Sequence, residues 1–301
     1  MVTIPDDETD AVLITGPTAS GKSGLALAIA RARGGVVINA DSMQVYDTLR
    51  VLTARPDEAA MAGVPHRLYG HVPAGGAFST GSWLRAAADL VAALRREGRL
   101  PVFVGGTGLY FRALTGGLAP MPDIPDPVRT ALRDRLTREG ALALHAELHA
   151  RDPETAAQIG AADAQRILRA LEVLEVSGEP LARLQRRSGP MVIDPARAQC
   201  LLVLPPRPVL YERIDRRFAT MLEEGAIEEV RALLSLGLSP AMPVMKAIGV
   251  SQISALIAGA ITREAAIEQG ATATRHYAKR QMTWFRNQLD DRWRVLDGQT
   301  G

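Results

Sequence analysis

Residues 16–23, Gly-Pro-Thr-Ala-Ser-Gly-Lys-Ser, carry the spacing G-x-x-x-x-G-K-[ST] of a loop that wraps phosphate. Gly16 and Gly21 let the backbone amides of the loop between them turn inward around an anion, and the helix that follows adds its positive end. Lys22 supplies a mobile positive charge and Ser23 a hydroxyl suited to magnesium. The chain has only three lysines, Lys22, Lys246 and Lys279, among 35 basic residues, and one stands here. Asp41 closes an apolar run where a strand would deliver it beside bound phosphate; an acidic cap is the alternative. Thr107 is the hydroxyl of a second glycine-rich turn, Gly105-Gly106-Thr107-Gly108. Arg213 and Arg217, four apart, could clamp a charged leaving group or pair with Glu212 and Asp215. Between Arg275 and Arg286 basic residues interleave with Tyr277, Gln281 and Trp284, which suits phosphate contact with base stacking, or an amphipathic closing helix. Arg166 and Arg169 form a pair that most often is a solvated face. His145 and His149 lack the glutamate of a metalloprotease pattern and are read as exposed helix residues.

These residues need elements to hold them. Apolar runs at 11–14, 36–40, 101–104 and 200–204 read as strands, and amphipathic stretches from Ser20 to Arg33 and from Thr80 to Gly98 read as helices. Trp83, Leu84, Ala87, Val91 and Leu94 form the buried face of the second helix. Residues 50–76 read as a loop-rich connection. A proline-rich boundary at 119–127 opens a helical, charged stretch in which Val128, Leu132 and Leu136 make one apolar face and Ile167, Leu171 and Leu174 another. Helices then follow from Pro208 to Glu224, Ile227 to Leu236 and Arg263 to about Leu289. The pattern predicts an α/β protein: a disordered tail over 1–10, a parallel-sheet core over 11–118 and 196–301, and an all-helical insertion over 119–195.

An apolar content of 47% in 301 residues suffices for a sizeable core. No apolar run reaches the ~18 residues of a membrane span, and the acidic N-terminus is unlike a signal peptide, so the expectation is a soluble cytoplasmic protein. The single Cys200 excludes an intramolecular disulfide and a thiolate-rich zinc site. A net charge of +2 announces no nucleic-acid partner by itself, and nothing marks an oligomer seam, so a monomer is expected. Residues 11–110 alone suit a small-molecule kinase equally well, with Asp41 activating an acceptor hydroxyl; a nucleotide-gated RNA-binding switch is a third class. The basic, aromatic final helix and the Arg166/Arg169 face have no place in a kinase.

Taken with Asp41-Ser42-Met43-Gln44-Val45-Tyr46, Thr53-Ala54-Arg55-Pro56, Pro65-His66-Arg67-Leu68, Val104 to Tyr110, Gln165 to Val173 and Lys279 to Arg286, the phosphate loop resembles the bacterial tRNA dimethylallyltransferases, in order and over nearly the whole chain. The resemblance implies a P-loop NTPase-like core with a helical insertion, acting on dimethylallyl diphosphate and on the adenosine 3′ of the anticodon in tRNAs that read U-initial codons, with Mg2+ as cofactor. By the same resemblance Gly16, Pro17, Thr18, Ala19, Ser20, Gly21, Lys22, Ser23 and Arg213 hold diphosphate, and Ser23 meets the metal. Asp41 is then the general base, Thr107 contacts the substrate near the reacting centre, and Arg217 supports the leaving group. Contacts to tRNA are implied at Asp41, Ser42, Met43, Gln44, Thr107 and Arg129, at Gln165, Arg166, Ile167, Leu168 and Arg169, at Lys246 and Gly249, and at Lys279, Arg280, Gln281, Trp284 and Arg286. The family often has Gly-Thr-Ala-Lys-Pro where this chain reads Leu52 to Pro56, and Tyr where Val250 stands.

Overall fold

The computed structural model describes residues 9–298. The chain runs β1 (Ala11–Thr15), α1 (Lys22–Ala32), β2 (Val36–Asn39), α2 (Glu58–Met61), β3 (His66–Arg67), α3 (Thr80–Arg96), β4 (Pro101–Gly105) and α4 (Gly108–Leu114). An inserted stretch holds α5 (Asp126–Arg151), α6 (Pro153–Ala156), α7 (Ala164–Ser177) and α8 (Leu181–Gln185). The core then resumes with β5 (Ala198–Val203), α9 (Arg207–Glu223), α10 (Ala226–Ser235), a 3₁₀ turn at Pro243–Lys246, α11 (Val250–Ile257), α12 (Arg263–Gln288) and β6 (Trp293–Leu296).

The six strands form one parallel sheet in the order β3-β2-β4-β1-β5-β6. Strands β1, β2 and β4 are buried along their whole length, as an apolar run without alternation requires of a sheet covered on both faces. Helix α1 seals one face with Leu25, Ala26 and Ile29 against Val12, Ile14, Val37 and Val102. On α3, Trp83 is fully buried, stacks on Tyr110 at 4.0 Å between ring centroids, and donates its indole N–H to the Asn39 carbonyl at 2.9 Å. One side chain thus fixes the end of β2 relative to α4.

Strands β3 and β6 go beyond the sequence expectation. The first is two residues long inside the irregular 50–76 segment, and the second is a half-exposed edge with Val295 open to solvent, so neither carries a buried apolar run. Of the tail expected over 1–10, residues 1–8 lie outside the described residues. Asp10 departs from that expectation: its amide donates to the Arg197 carbonyl at 2.9 Å and its carboxylate pairs with Arg197 at 3.0 Å.

The chain divides into two compact units, 1–115 with 192–301, and Gly116–Met191. The second unit therefore begins and ends a few residues before the 119–195 read from composition. Its core gathers the two apolar faces of α5 and α7, with Leu132, Leu144, Leu148, Ile167 and Leu171 at the centre and Val128 and Leu136 at the margin. Helix α5 is broken at Gly140, whose φ of 82° lets the chain kink. His145 is half-buried rather than exposed, because its Nε2 sits 3.0 Å from the Ile159 carbonyl and 3.3 Å from that of Ala156; His149 is exposed. In the first unit the amides of Val192 and Ile193 both donate to the Leu114 carbonyl, at 2.9 and 3.0 Å, so the core chain leaves and re-enters at one point.

Candidate active site

The phosphate loop links β1 to α1, and its glycines are forced by contact and by conformation. A Cβ on Gly16 would lie 2.4 Å from the Val203 carbonyl oxygen, and Gly21, at φ 92°, is the left-handed residue before α1. Ala19 shares the left-handed region at φ 64°, an uncommon place for a side chain and a sign that the loop is held in one shape. The Lys22 ammonium donates to the Pro17 carbonyl at 3.2 Å and so lies across the loop. Ser20 Oγ is buried without a hydrogen-bond partner, an orphaned polar atom inside an anion-shaped cradle.

Helix α9 closes the cradle from the side. Arg217 donates to Thr18 Oγ1, and Arg213 reaches the Ser20 carbonyl at 3.5 Å. The competing ion pairs are taken elsewhere: Glu212 pairs with Arg216 and Asp215 with Arg275. Arg213 and Arg217 are thereby turned to the loop, which resolves the choice left open by their spacing.

Across from the loop, β2 ends on Asn39, a fully buried amide that no motif announces. Its Oδ1 accepts from the Asp41 amide at 2.9 Å, while its Nδ2 donates to the carbonyls of Asp41 at 2.9 Å and Leu68 at 3.0 Å. The Asp41 carboxylate is oriented in turn by the Met43 amide, 2.9 Å from Oδ1. Gly105 and Gly106 let β4 pass this turn: a Cβ on Gly105 would meet the Ala40 carbonyl at 2.0 Å, and one on Gly106 would lie 3.5 Å from Asp41 Oδ2. Thr107 Oγ1 accepts from the Ser42 amide at 3.0 Å and donates to Ser42 Oγ at 3.3 Å, joining the two turns.

Two cavities meet here. One of about 300 Å³ is polar, lined by Thr18 to Gly24 with Arg213. The other, of about 260 Å³, is walled by Leu52, Ile214, Phe218, Met221, Ile248 and Tyr277. Thr18, Asp41, Thr53 and Arg217 line both, so a charged and an apolar compartment share one rim. Burial lowers the Lys22 pKa to about 8, with Asp41 pulling it back up and Arg217 adding to the fall. Burial also lowers Arg217, again opposed by Asp41. The phenols of Tyr69, Tyr110 and Tyr277 are pushed up by burial and by the Asp41 charge, so they stay protonated around the carboxylate.

Residues 44–288 match the family model described as IPP transferase, and residues 9–72 match that of isopentenyl transferase. The chain belongs to the IPP transferase family. A protein of Rhizobium meliloti named tRNA dimethylallyltransferase is 66% identical over 96% of both chains, and one of Agrobacterium fabrum with the same name is 64% identical over 96% of this chain and 97% of its own. Among solved structures, the full-length tRNA isopentenylpyrophosphate transferase of Bacillus halodurans is 34% identical with a TM-score of 0.68, covering 96% of this chain and 90% of its own. A eukaryotic dimethylallyltransferase described as acting on tRNA is 25% identical with a TM-score of 0.80, covering 96% and 74%.

In this transferase Thr18 to Ser23 and Arg213, of the residues expected to meet diphosphate, line the polar cavity, Asp41 and Arg217 stand on the rim it shares with the apolar one, and Thr107 is joined to the Asp41 turn through Ser42. Ser42, Met43, Lys246 and Arg280 line the apolar cavity, while Lys279, Arg280 and Arg286 are exposed on α12. Three residues expected at tRNA are buried in this structure. Ile167 is wholly buried in the core of the insertion. Gly249 is buried before α11, with the Leu52 side chain 2.5 Å from where its Cβ would stand. Gln281 is 6% exposed and spent internally: its Oε1 accepts from the Thr18 amide at 3.0 Å and its Nε2 donates to the Gly106 carbonyl at 2.9 Å. Two more are partly engaged. Gln44 Nε2 donates to the carbonyls of Thr53 and Ala54, at 2.8 and 3.0 Å, and Trp284 packs over Gly108, whose Cβ would fall 2.2 Å from the indole. Within the insertion Gln165 and Arg166 are exposed, Leu168 leans on the core, Arg129 lies 3.7 Å from Asp126, and Arg169 lies 3.6 Å from Glu172. Asn39 and Tyr69 went unread because neither sits in a motif; a polar residue ending an apolar run just before Asp41 was the available signal for the first.

Proposed function

We propose that the enzyme transfers the dimethylallyl group of dimethylallyl diphosphate to the exocyclic amine of the adenosine 3′-adjacent to the anticodon, in tRNAs reading U-initial codons, and releases diphosphate. The observation that carries this reading is the shared rim: a cationic, anion-shaped cavity opens at Asp41 and Arg217 into an apolar one, which suits a donor with a charged leaving group and a hydrocarbon chain. The amine lone pair forms a bond to the allylic carbon as the carbon–oxygen bond breaks and its electron pair leaves on diphosphate. The amine proton passes to the Asp41 carboxylate. Lys22, the loop amides, Arg213 and Arg217 receive the charge that develops on the leaving oxygen. Asn39 and the Met43 amide hold Asp41 in line.

Magnesium fits the residues present. Among the described residues no group of three His, Cys, Asp or Glu could cage a metal, and the oxygen that would meet the ion is the Ser23 hydroxyl on the polar cavity. That suits an ion held by one or two protein oxygens and otherwise by substrate phosphate. When bound it would neutralise diphosphate charge.

For tRNA, the reading assigns the exposed Lys279, Arg280, Arg286 and half-buried Trp284 of α12 to backbone contact and stacking. Ser42, Met43 and Lys246 are assigned to the base entering the pocket, and Arg129, Gln165, Arg166, Leu168 and Arg169 to contacts made by the insertion. No helix among the described residues is long and apolar enough to cross a membrane.

The test incubates the protein with magnesium, unmodified tRNA and either dimethylallyl diphosphate or ATP, then digests the tRNA and weighs its nucleosides. An adenosine heavier by one dimethylallyl group, only with the diphosphate donor, is expected. Asp41→Ala lowers kcat by about 100-fold or more with tRNA affinity nearly intact. Unmodified tRNA with the wild type, together with ATP consumption on small metabolites, would move the assignment to a kinase.

A further inference from the structure

We propose that the ring of Phe218 is the stop that limits the transferred chain to five carbons. The inference rests on the donor assignment above and adds the residue that sets donor length. Phe218 follows Arg217 on α9, so the guanidinium on the shared rim and an aromatic wall of the apolar cavity come from consecutive residues of one rigid helix. The ring is 4% exposed and has no room to retreat. A Cβ on Gly270 would fall 2.0 Å from its Cζ, so that backbone presses directly on the ring, and one on Gly249 would lie 3.3 Å from its Cε2, so a second backbone segment stands close behind it. Neither glycine is among the residues lining the cavity, whereas Phe218 is; the ring separates the cavity from packed backbone. Among the remaining apolar walls Met221 is an unbranched, flexible side chain that can yield, whereas a ring wedged against main chain cannot.

A donor one isoprene unit longer places five more carbons against this stop. The bonds made and broken are unchanged, so the difference is one of fit alone. A single methylene of mismatch in an apolar pocket is worth about 10–200-fold in kcat/KM, and five lie well beyond that.

The experiment compares wild type, Phe218→Ala and Phe218→Leu with magnesium and unmodified tRNA, offering dimethylallyl or geranyl diphosphate and weighing the nucleosides. Wild type is expected to give only the five-carbon product. Phe218→Ala is expected to raise the ratio of ten-carbon to five-carbon kcat/KM by about 100-fold or more, with Phe218→Leu between the two. A Phe218→Ala protein that transfers five carbons but not ten overturns the proposal, as does a wild type that accepts both donors alike. If Phe218→Ala does not fold by circular dichroism, Phe218→Leu decides by the same ratio. Failure of the wild type with either donor would instead overturn the donor assignment, and the proposal with it.

Discussion

Lys22 answers to two opposing demands, because its ammonium must be buried to meet diphosphate and burial disfavours its charge. With the free-enzyme pKa at about 8, kcat/KM for the donor should fall as the pH rises through that value, where the ammonium is lost. Stability should move the other way. The folded pKa is depressed below the ordinary lysine value of 10.5, so between about 8 and 10.5 the unfolded chain holds more protons and unfolding becomes harder as pH rises. Opposite slopes of donor kcat/KM and urea midpoint across that window would establish both; parallel slopes would contradict the assignment of Lys22. Asn39 gives a second prediction. Asn39→Ala strips the Asp41 amide of its acceptor and leaves buried groups unpaired, costing about 1–3 kcal/mol by urea melt and lowering kcat, with the donor KM little changed. Asp41 was legible because it closes an apolar run; Asn39 could be noticed beside it as a polar residue in that run, but its part in aiming Asp41 shows only once the strand is folded against Leu68 and Trp83.

Helix α12 shows where periodicity misleads. Its basic and aromatic residues repeat at helical spacing, and a one-dimensional pattern cannot say which stripe faces water. In the fold Gln281 points inward and ties the Thr18 amide of the phosphate loop to the Gly106 carbonyl beside Asp41. Gln281→Leu should therefore raise the donor KM by about 10-fold and leave tRNA affinity unchanged; a selective loss of tRNA affinity would return the residue to the RNA surface. A comparable anchor lies on α10. The Glu229 carboxylate accepts from the amides of Arg50, Val51 and Leu52 at 3.1, 2.7 and 3.0 Å and thereby holds Leu52 and Thr53 at the apolar cavity. Glu229→Ala should cost about 1–3 kcal/mol in a denaturant melt and raise the donor KM. Sequence separation of nearly 180 residues hides such a contact from any local pattern.

The molecule as a whole is a parallel sheet whose chain makes one long excursion. The excursion was legible as a change from alternating strands and helices to unbroken helical charge, and its limits differ by a few residues because the first proline-rich run begins only after the first junction, while Pro190 and Pro195 straddle the second. Since Val192 and Ile193 both bond to the Leu114 carbonyl, joining Thr115 to Val192 through a short glycine-serine link should leave the core folded. Such a protein should keep diphosphate binding by calorimetry and lose transfer to tRNA. A core that melts far below the full chain would show instead that the two units depend on each other for stability.

The place of β1 also bears on how the protein is made. The strand that carries the phosphate loop lies between β4 and β5, and β5 begins only at Ala198, about two thirds of the way along the 301 residues. During synthesis the edge of β1 that β5 will cover therefore stays bare while the whole helical excursion emerges, and the loop lacks Gln281 until later still. An uncovered strand edge is a template for unwanted pairing. A ribosome stalled between residues 110 and 198 would thus hold a half-sheet with an adhesive flank, and chaperone crosslinking to such stalled chains should peak there and fall once β5 has cleared the exit tunnel.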